Sequence, residues 1–147
     1  MKLSKKPLDE CRKYEQLDIS GDAGLKVSGS TLEELFENAA SGMFELITDA
    51  SQIKAEDKRT VVIDADNYET LLIRWLNELV FLFDAHNFVG KVFDICLSET
   101  ILSAEVRGGY FDPEVNERRL LVKAATYHRL SLTKKDSEWE AEVVFDI

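Results

Sequence analysis

Two aspartates and two glycines fall within one short stretch, Asp18-Ile19-Ser20-Gly21-Asp22-Ala23-Gly24-Leu25. Glycine lets a backbone take positive φ or pass close to a ligand. Carboxylates on an irregular backbone make an oxygen-rich site for a hard cation. The same octet also reads as a solvated turn in which Asp18 or Asp22 bonds its own backbone. A second acidic feature lies at the far end of the sequence, Asp146-Ile147, where a carboxylate side chain stands beside the α-carboxylate. If the strand beginning near Asp22 neighbours the strand ending near Asp146, these carboxylates meet. Such groups repel unless a cation or a cationic side chain sits between them. The ligand set would be Asp22, Asp146 and Ile147 through its main chain, and it suits Ca²⁺ or Mg²⁺ better than Zn²⁺.

Other chemistry is sparse. His86 and His128 are the only histidines. His128 shares a parity with Val122, Ala124 and Leu130, which predicts a half-buried, satisfied ring rather than a general base. His86 follows a helical stretch and reads as a loop or C-cap residue. No GxSxG, P-loop or GxGxxG occurs, and no Cys-His pairing suggests a nucleophile. Lys123 interrupts an apolar run beside Ala124. Such a lysine snorkels, pairs with a carboxylate, or reaches a phosphate or a partner's acidic group.

The elements that must position these groups follow from periodicity. Residues 14 to 17 form a short strand, and Leu25 and Val27 alternate with Lys26 and Ser28 in a second that ends at Gly29. Ser30-Thr31-Leu32-Glu33 fits a capping box with Ser30 at the N-cap. Leu32, Leu35, Phe36, Ala39, Ala40, Met43 and Ile47 then mark a helix over about 31 to 48, whose apolar stripe faces a core. A strand spans 59 to 65. Asp66-Asn67-Tyr68-Glu69 caps a second helix, marked by Leu72, Trp75, Leu76, Leu79, Val80 and Phe83 and ending near Asp84. Arg74, Asn77 and Glu78 read as its solvated face. From Lys91 the chain turns β: a hairpin with its turn at 98 to 100, a break at Gly108-Gly109-Tyr110, a long strand over 120 to 133, and a last strand carrying Trp139, Ala141, Val143, Phe145 and Ile147 on one parity. The long strand is expected to place Val122, Ala124, Thr126, His128, Leu130 and Leu132 on one side. The order ββαβαββββ predicts one α+β domain over 13–147, with two helices on one face of a mixed sheet, after a flexible polar leader at 1–12.

The chain has 147 residues and a net charge of −10, with 45% hydrophobic residues. That is length enough for one core. A free-standing nucleic-acid binder shows a basic face, so the acidic balance suits a basic partner or a metal ion and predicts no direct nucleic-acid binding. Cys11 and Cys96 form no zinc motif and read as free thiols in a reducing cytosol. There is no secretory signal and no membrane-length apolar run, which predicts a cytoplasmic protein.

Five motifs in order carry a resemblance over 14 to 147. Tyr14-Glu15 and Leu17-Asp18-Ile19-Ser20-Gly21-Asp22 resemble YE-x-LDHTAD of the archease family. Thr31-Leu32-Glu33-Glu34-Leu35-Phe36-Glu37-Asn38-Ala39-Ala40 resembles its TLEEAFENAA helix, and Leu72-Ile73-Arg74-Trp75-Leu76-Asn77-Glu78-Leu79 its L-x-RWLNELL helix. Val122-Lys123-Ala124-Ala125-Thr126-Tyr127-His128 resembles VKAVTYH, and Val144-Phe145-Asp146-Ile147 its VxxDI end. The resemblance implies a protein that helps RtcB-type RNA-splicing ligases undergo guanylylation with GTP and turn over repeatedly. It implies a divalent metal, Ca²⁺ first and Mg²⁺ or Mn²⁺ as alternatives, on Asp22, Asp146 and Ile147. Lys123 falls on a lysine the family relies on, and Asp18 is a second contact candidate. Ile19 departs from the family's usual His. Two other readings stay open: a small metal-dependent phosphatase or nuclease using the same carboxylates, and a general chaperone-like interaction module.

Overall fold

The computed structural model describes residues 13–147, so the expected leader at 1–12 and Cys11 lie outside the described residues. The order is β1 (Tyr14–Ile19), β2 (Asp22–Gly29), α1 (Leu32–Ile47), a single 3-10 turn (Ala50–Gln52), β3 (Asp57–Asp64), α2 (Tyr68–His86), β4 (Phe88–Ser98), β5 (Ile101–Tyr110), β6 (Ala124–Lys135) and β7 (Glu138–Asp146). The α+β class and the order ββαβαββββ hold. The strands form two sheets, β1-β2-β7-β6 and β3-β5-β4, rather than one mixed sheet, and every neighbouring pair is antiparallel. Hairpins account for three of the five antiparallel pairs. β1-β2, β4-β5 and β6-β7 each turn over two residues, and a hairpin can only be antiparallel. Each turn holds one residue at positive φ: Gly21 at 78°, Glu99 at 54° and Asp136 at 59°, as tight hairpin turns require.

The helices join the two sheets. α1 packs on β2 and β4, and α2 on β6 and β4. Trp75, Phe36, Phe44, Phe88 and Phe145 are fully buried between them. The Trp75 indole N–H donates to the Phe36 carbonyl at 3.0 Å, which satisfies the one polar atom of the largest core side chain.

Several boundaries differ from the periodicity. The α1 cap is Thr31, one residue later than expected; its hydroxyl accepts from the Glu34 N–H at 3.0 Å. Glu34, not Glu33, reaches back, accepting from the Ser30 N–H at 2.6 Å and the Ser30 hydroxyl at 3.0 Å. α2 runs past Asp84 to His86 because Asn87, at φ 59°, closes it in the left-handed conformation that usually calls for Gly. His86 is exposed, its ring edge-on to Phe81. β5 passes through Gly108 and Gly109 because neighbouring backbone lies so close: a Cβ on Gly108 would sit 1.9 Å from the Val89 carbonyl oxygen, and one on Gly109 2.0 Å from that of Lys54.

The largest difference is in β6. It begins at Ala124, and its register slips between Thr126 and Ser131, so that residues 127–130 stand against Val143 alone. A bulge reverses the inward parity. Ala125 is buried before it, Leu130 and Leu132 turn toward the core after it, and His128 is exposed on it rather than half-buried.

Candidate functional site

β2 and β7 pair antiparallel down to Ala23 opposite Phe145. Asp22 and Asp146 are the next residues on each strand, side by side where the ladder ends. Ile19 stands opposite Asp22 across the β1-β2 hairpin, and Ala124 opposite Asp146. The Lys123 N–H donates to the Asp146 carbonyl at 2.8 Å, which extends the ladder one step and sets Lys123 alongside Ile147. Four strand ends thus meet. Alternation puts Ala23 and Phe145 into the core and turns Asp22 and Asp146 to the opposite, outward face.

Asp18 is not brought to them. It lies opposite Ala23 on the outer strand β1, so its side chain projects from the other face. Asp22 is half-buried; Asp18, Lys123, Asp146 and Ile147 are exposed.

Among the described residues, no Lys, Arg or His lies within ion-pair distance of Asp22 or Asp146. Two neighbouring carboxylates without a cationic partner favour a cation between them. No group of three or more His, Cys, Asp and Glu side chains able to hold a metal occurs among the described residues. A cation here would draw on two aspartates and a main-chain oxygen of Ile147, an oxygen-only set that fits a hard ion. A cavity of about 570 Å³, lined by Lys13, Glu15, Lys26, Ser28 and Glu140 among others, lies toward the far end of β1 and β2 and takes no part in this arrangement.

Two details support the site. Asn77 on α2 pairs with the main chain of Ala125: its amide oxygen accepts from the Ala125 N–H at 2.7 Å, and its amide nitrogen donates to the Ala125 carbonyl at 3.1 Å. It serves as a one-residue strand along the edge of β6. Arg74 is exposed, as expected, and donates to the Asp64 carbonyl at 2.7 Å. The solvated face expected here holds for Arg74, while Asn77 fastens the helix to β6 instead. The signal was present, since Asn77 lies four after Ile73 and three before Val80, both buried. The second detail is Ile19, which covers Gly24: a Cβ on Gly24 would come within 2.7 Å of the Ile19 Cδ1.

A model of the archease protein family matches residues 14–147. The archease of Sulfurisphaera tokodaii is 36% identical over 138 residues, covering 92% of this chain and 99% of that one. The archease of Methanosarcina mazei is 36% identical over 141 residues, covering 92% and 97%. The solution structure of Methanobacterium thermoautotrophicum protein 1598 superposes with a TM-score of 0.82 at 35% identity, covering 92% and 99%. The crystal structure of a Thermotoga maritima archease, described as a possible chaperone, shares the fold with a TM-score of 0.67 at 19% identity, covering 90% and 96%.

Proposed function

This chain belongs to the archease family, and from that membership we propose that it is a non-catalytic activator of an RtcB-type RNA ligase, promoting guanylylation of the ligase with GTP and repeated turnover in tRNA splicing or RNA repair. The observation that supports the reading is the convergence of Asp22, Asp146, Ile147 and Lys123 at one sheet end. An activator of this kind needs no nucleophile or general base. It needs a rigid charged surface that can enter a partner's nucleotide site.

The antiparallel ladder and the Asn77 clamp supply rigidity. Asp22, Asp146 and a main-chain oxygen of Ile147 would hold a divalent cation, Ca²⁺ first, Mg²⁺ or Mn²⁺ as alternatives. When bound, the ion neutralises the carboxylates and offers positive charge to phosphate oxygens. Lys123 adds a mobile ammonium for a phosphate or a partner's carboxylate. Asp18, on the opposite face, serves as a partner contact rather than a ligand. The net charge of −10 suits a partner with a basic surface.

The test mixes the purified chain with an RtcB-type ligase, GTP and Mn²⁺. Ligase–GMP formation and products per ligase should both rise, and Asp22→Ala or Asp146→Ala should cancel the rise. An unchanged ligase sinks the proposal. RNA or phosphomonoester hydrolysis by the chain alone, lost in Asp22→Ala, would point to a metal-dependent hydrolase instead.

A further inference from the structure

β6 and the segment leading into it reverse the charge of the rest of the chain. Residues 118–135 hold six of the 18 Lys and Arg and none of the 28 Asp and Glu, so this stretch carries +6 and the remainder −16. Three of the six cations are engaged. Arg118 lies over the Phe111 ring at 5.2 Å and Lys134 over the Trp139 ring at 5.6 Å. Arg119 pairs with Glu45 and Glu117. The side chains of Lys123, Arg129 and Lys135 are exposed and have no ion-pair or hydrogen-bond partner among the described residues; Lys135 closes the β6-β7 hairpin, and Arg129 alone stands on the bulge.

Arg129 sits on the bulge, at φ 55°, a left-handed conformation that residues with a Cβ rarely enter. Strain of this sort persists where surrounding structure enforces it, and it concentrates at functional sites. The bulge throws three consecutive side chains, Tyr127, His128 and Arg129, outward along an outer strand of its sheet. A bulge and a charge also protect a sheet edge from pairing with another chain. Edge protection accounts for Arg129 but not for an aromatic ring left 58% exposed beside it at Tyr127.

We propose that Tyr127, His128 and Arg129 form a contact for single-stranded RNA. The Arg129 guanidinium matches phosphate oxygens with two parallel N–H donors. Tyr127 offers a face on which an unpaired base stacks, and His128 a second ring with an N–H. An acidic peptide would satisfy Arg129 by charge; single-stranded RNA satisfies it through phosphate and also presents base faces to both neighbouring rings, Tyr127 and His128. The surrounding −16 opposes RNA, most directly through Glu142 and Glu140, which stand opposite Ser131 and Thr133 on the neighbouring β7; salt screens the charges beyond about 8–10 Å at physiological strength. The contact is therefore weak alone and useful where RNA is already held nearby. Its use rests on the ligase reading, which brings RNA close, whereas its test involves RNA and this chain only.

The test titrates the ¹⁵N-labelled full chain, in EDTA, with a single-stranded RNA of about 12 nucleotides in about 0.1 M salt. Amide shifts should move at residues 123–131. Arg129→Glu, an exposed change that leaves the rest of the spectrum in place, should abolish them. Tyr127→Ala should weaken RNA binding roughly tenfold while leaving shifts caused by inorganic pyrophosphate unchanged. Silence at these amides overturns the proposal. So do shifts confined to the Asp22–Asp146 end, or equal shifts with polyglutamate, which would assign the ridge to an acidic protein.

Discussion

Asn77 and Ala125 exchange two hydrogen bonds across the gap between helix and sheet, with the Asn77 side chain as both acceptor, at 2.7 Å, and donor, at 3.1 Å. Ala125 is buried, so its main-chain groups cannot turn to water. The pair lies two residues from Lys123 and fixes the strand whose neighbour ends in Asp146. Asn77→Ala should cost about 1–3 kcal/mol, the penalty for stranding buried polar groups, read by urea unfolding. Asn77→Asp makes a sharper case. It keeps the acceptor for the Ala125 N–H but sets a carboxylate oxygen against the Ala125 carbonyl. Protonation restores the donor, so the carboxyl of the variant should titrate above the usual aspartate range in the folded state. Its stability deficit should then shrink as pH falls through that raised value. A deficit independent of pH would show that the second hydrogen bond carries no weight.

Asp22 and Asp146 should couple metal binding to stability. With no cation between them, the neighbouring carboxylates repel, so Asp22→Asn or Asp146→Asn should leave the metal-free chain as stable as before or more so. With Ca²⁺ or Mn²⁺ at about 100 times its dissociation constant, the unaltered chain should gain about 2.7 kcal/mol. Either variant should lose most of that gain, and Asp18→Asn should keep it, because Asp18 lies on the other face. Thermal unfolding with and without metal decides. A gain retained in Asp22→Asn would remove the metal from this end of the sheet.

How much of this could be read in advance depends on whether the signal is local. The α1 stripe at Leu35, Phe36, Ala39, Ala40 and Met43 is buried as its period required. Asp22 and Asp146 were legible as a pair because each stands at a strand end, and only the pairing of β2 with β7 had to be supplied. The division into two sheets was not legible, since no residue marks which strands share hydrogen bonds. The β6 bulge was hidden for a different reason. A period of two carries across an inserted stretch unless something announces the insertion, and Arg129 at positive φ is no such announcement. Asn77 reads as solvated because it is polar and on a helix, although its i−4 and i+3 neighbours, Ile73 and Val80, are apolar and buried.

Two neighbouring glutamates on α1 should respond to pH in opposite senses. Glu34 is held below the ordinary carboxylate range by its hydrogen bond from the Ser30 main-chain N–H, then by the Ser30 hydroxyl. Its folded value is depressed, so its stabilisation is present above the unfolded value near 4.5 and is lost as pH falls through the folded one. Glu37 is raised, first by burial and then by Glu34, Asp94 and Glu33. Its charge therefore opposes folding at neutral pH, and the opposition vanishes as pH falls below 4.5. Glu34→Gln should lower stability at pH 7 and Glu37→Gln should raise it, with both effects gone in acid. Urea midpoints across pH 3–7, a span set by ordinary carboxylate values, check the crossing.

Gly24 and Gly108 both lie in strands, and the same substitution should affect them very differently. A Cβ on Gly108 would fall 1.9 Å from the Val89 carbonyl oxygen, which is main chain and cannot withdraw without breaking the β4-β5 ladder. Gly108→Ala should prevent folding, or cost more than about 4 kcal/mol. A Cβ on Gly24 would fall 2.7 Å from the Ile19 Cδ1, the tip of a flexible side chain, and 3.3 Å and 3.4 Å from the next atoms, on Leu17 and Val143. Ile19 can rotate away, so Gly24→Ala should cost about 1–2 kcal/mol. The displaced Ile19 stands directly opposite Asp22, so the same change should also weaken divalent-ion binding. Ile19→Val shortens the tip and should recover both losses in the double variant, which a double-mutant cycle of unfolding and metal titration resolves. Purely additive effects would mean that Ile19 and Gly24 do not share the space the geometry gives them, and that the flank of Asp22 is set by something else.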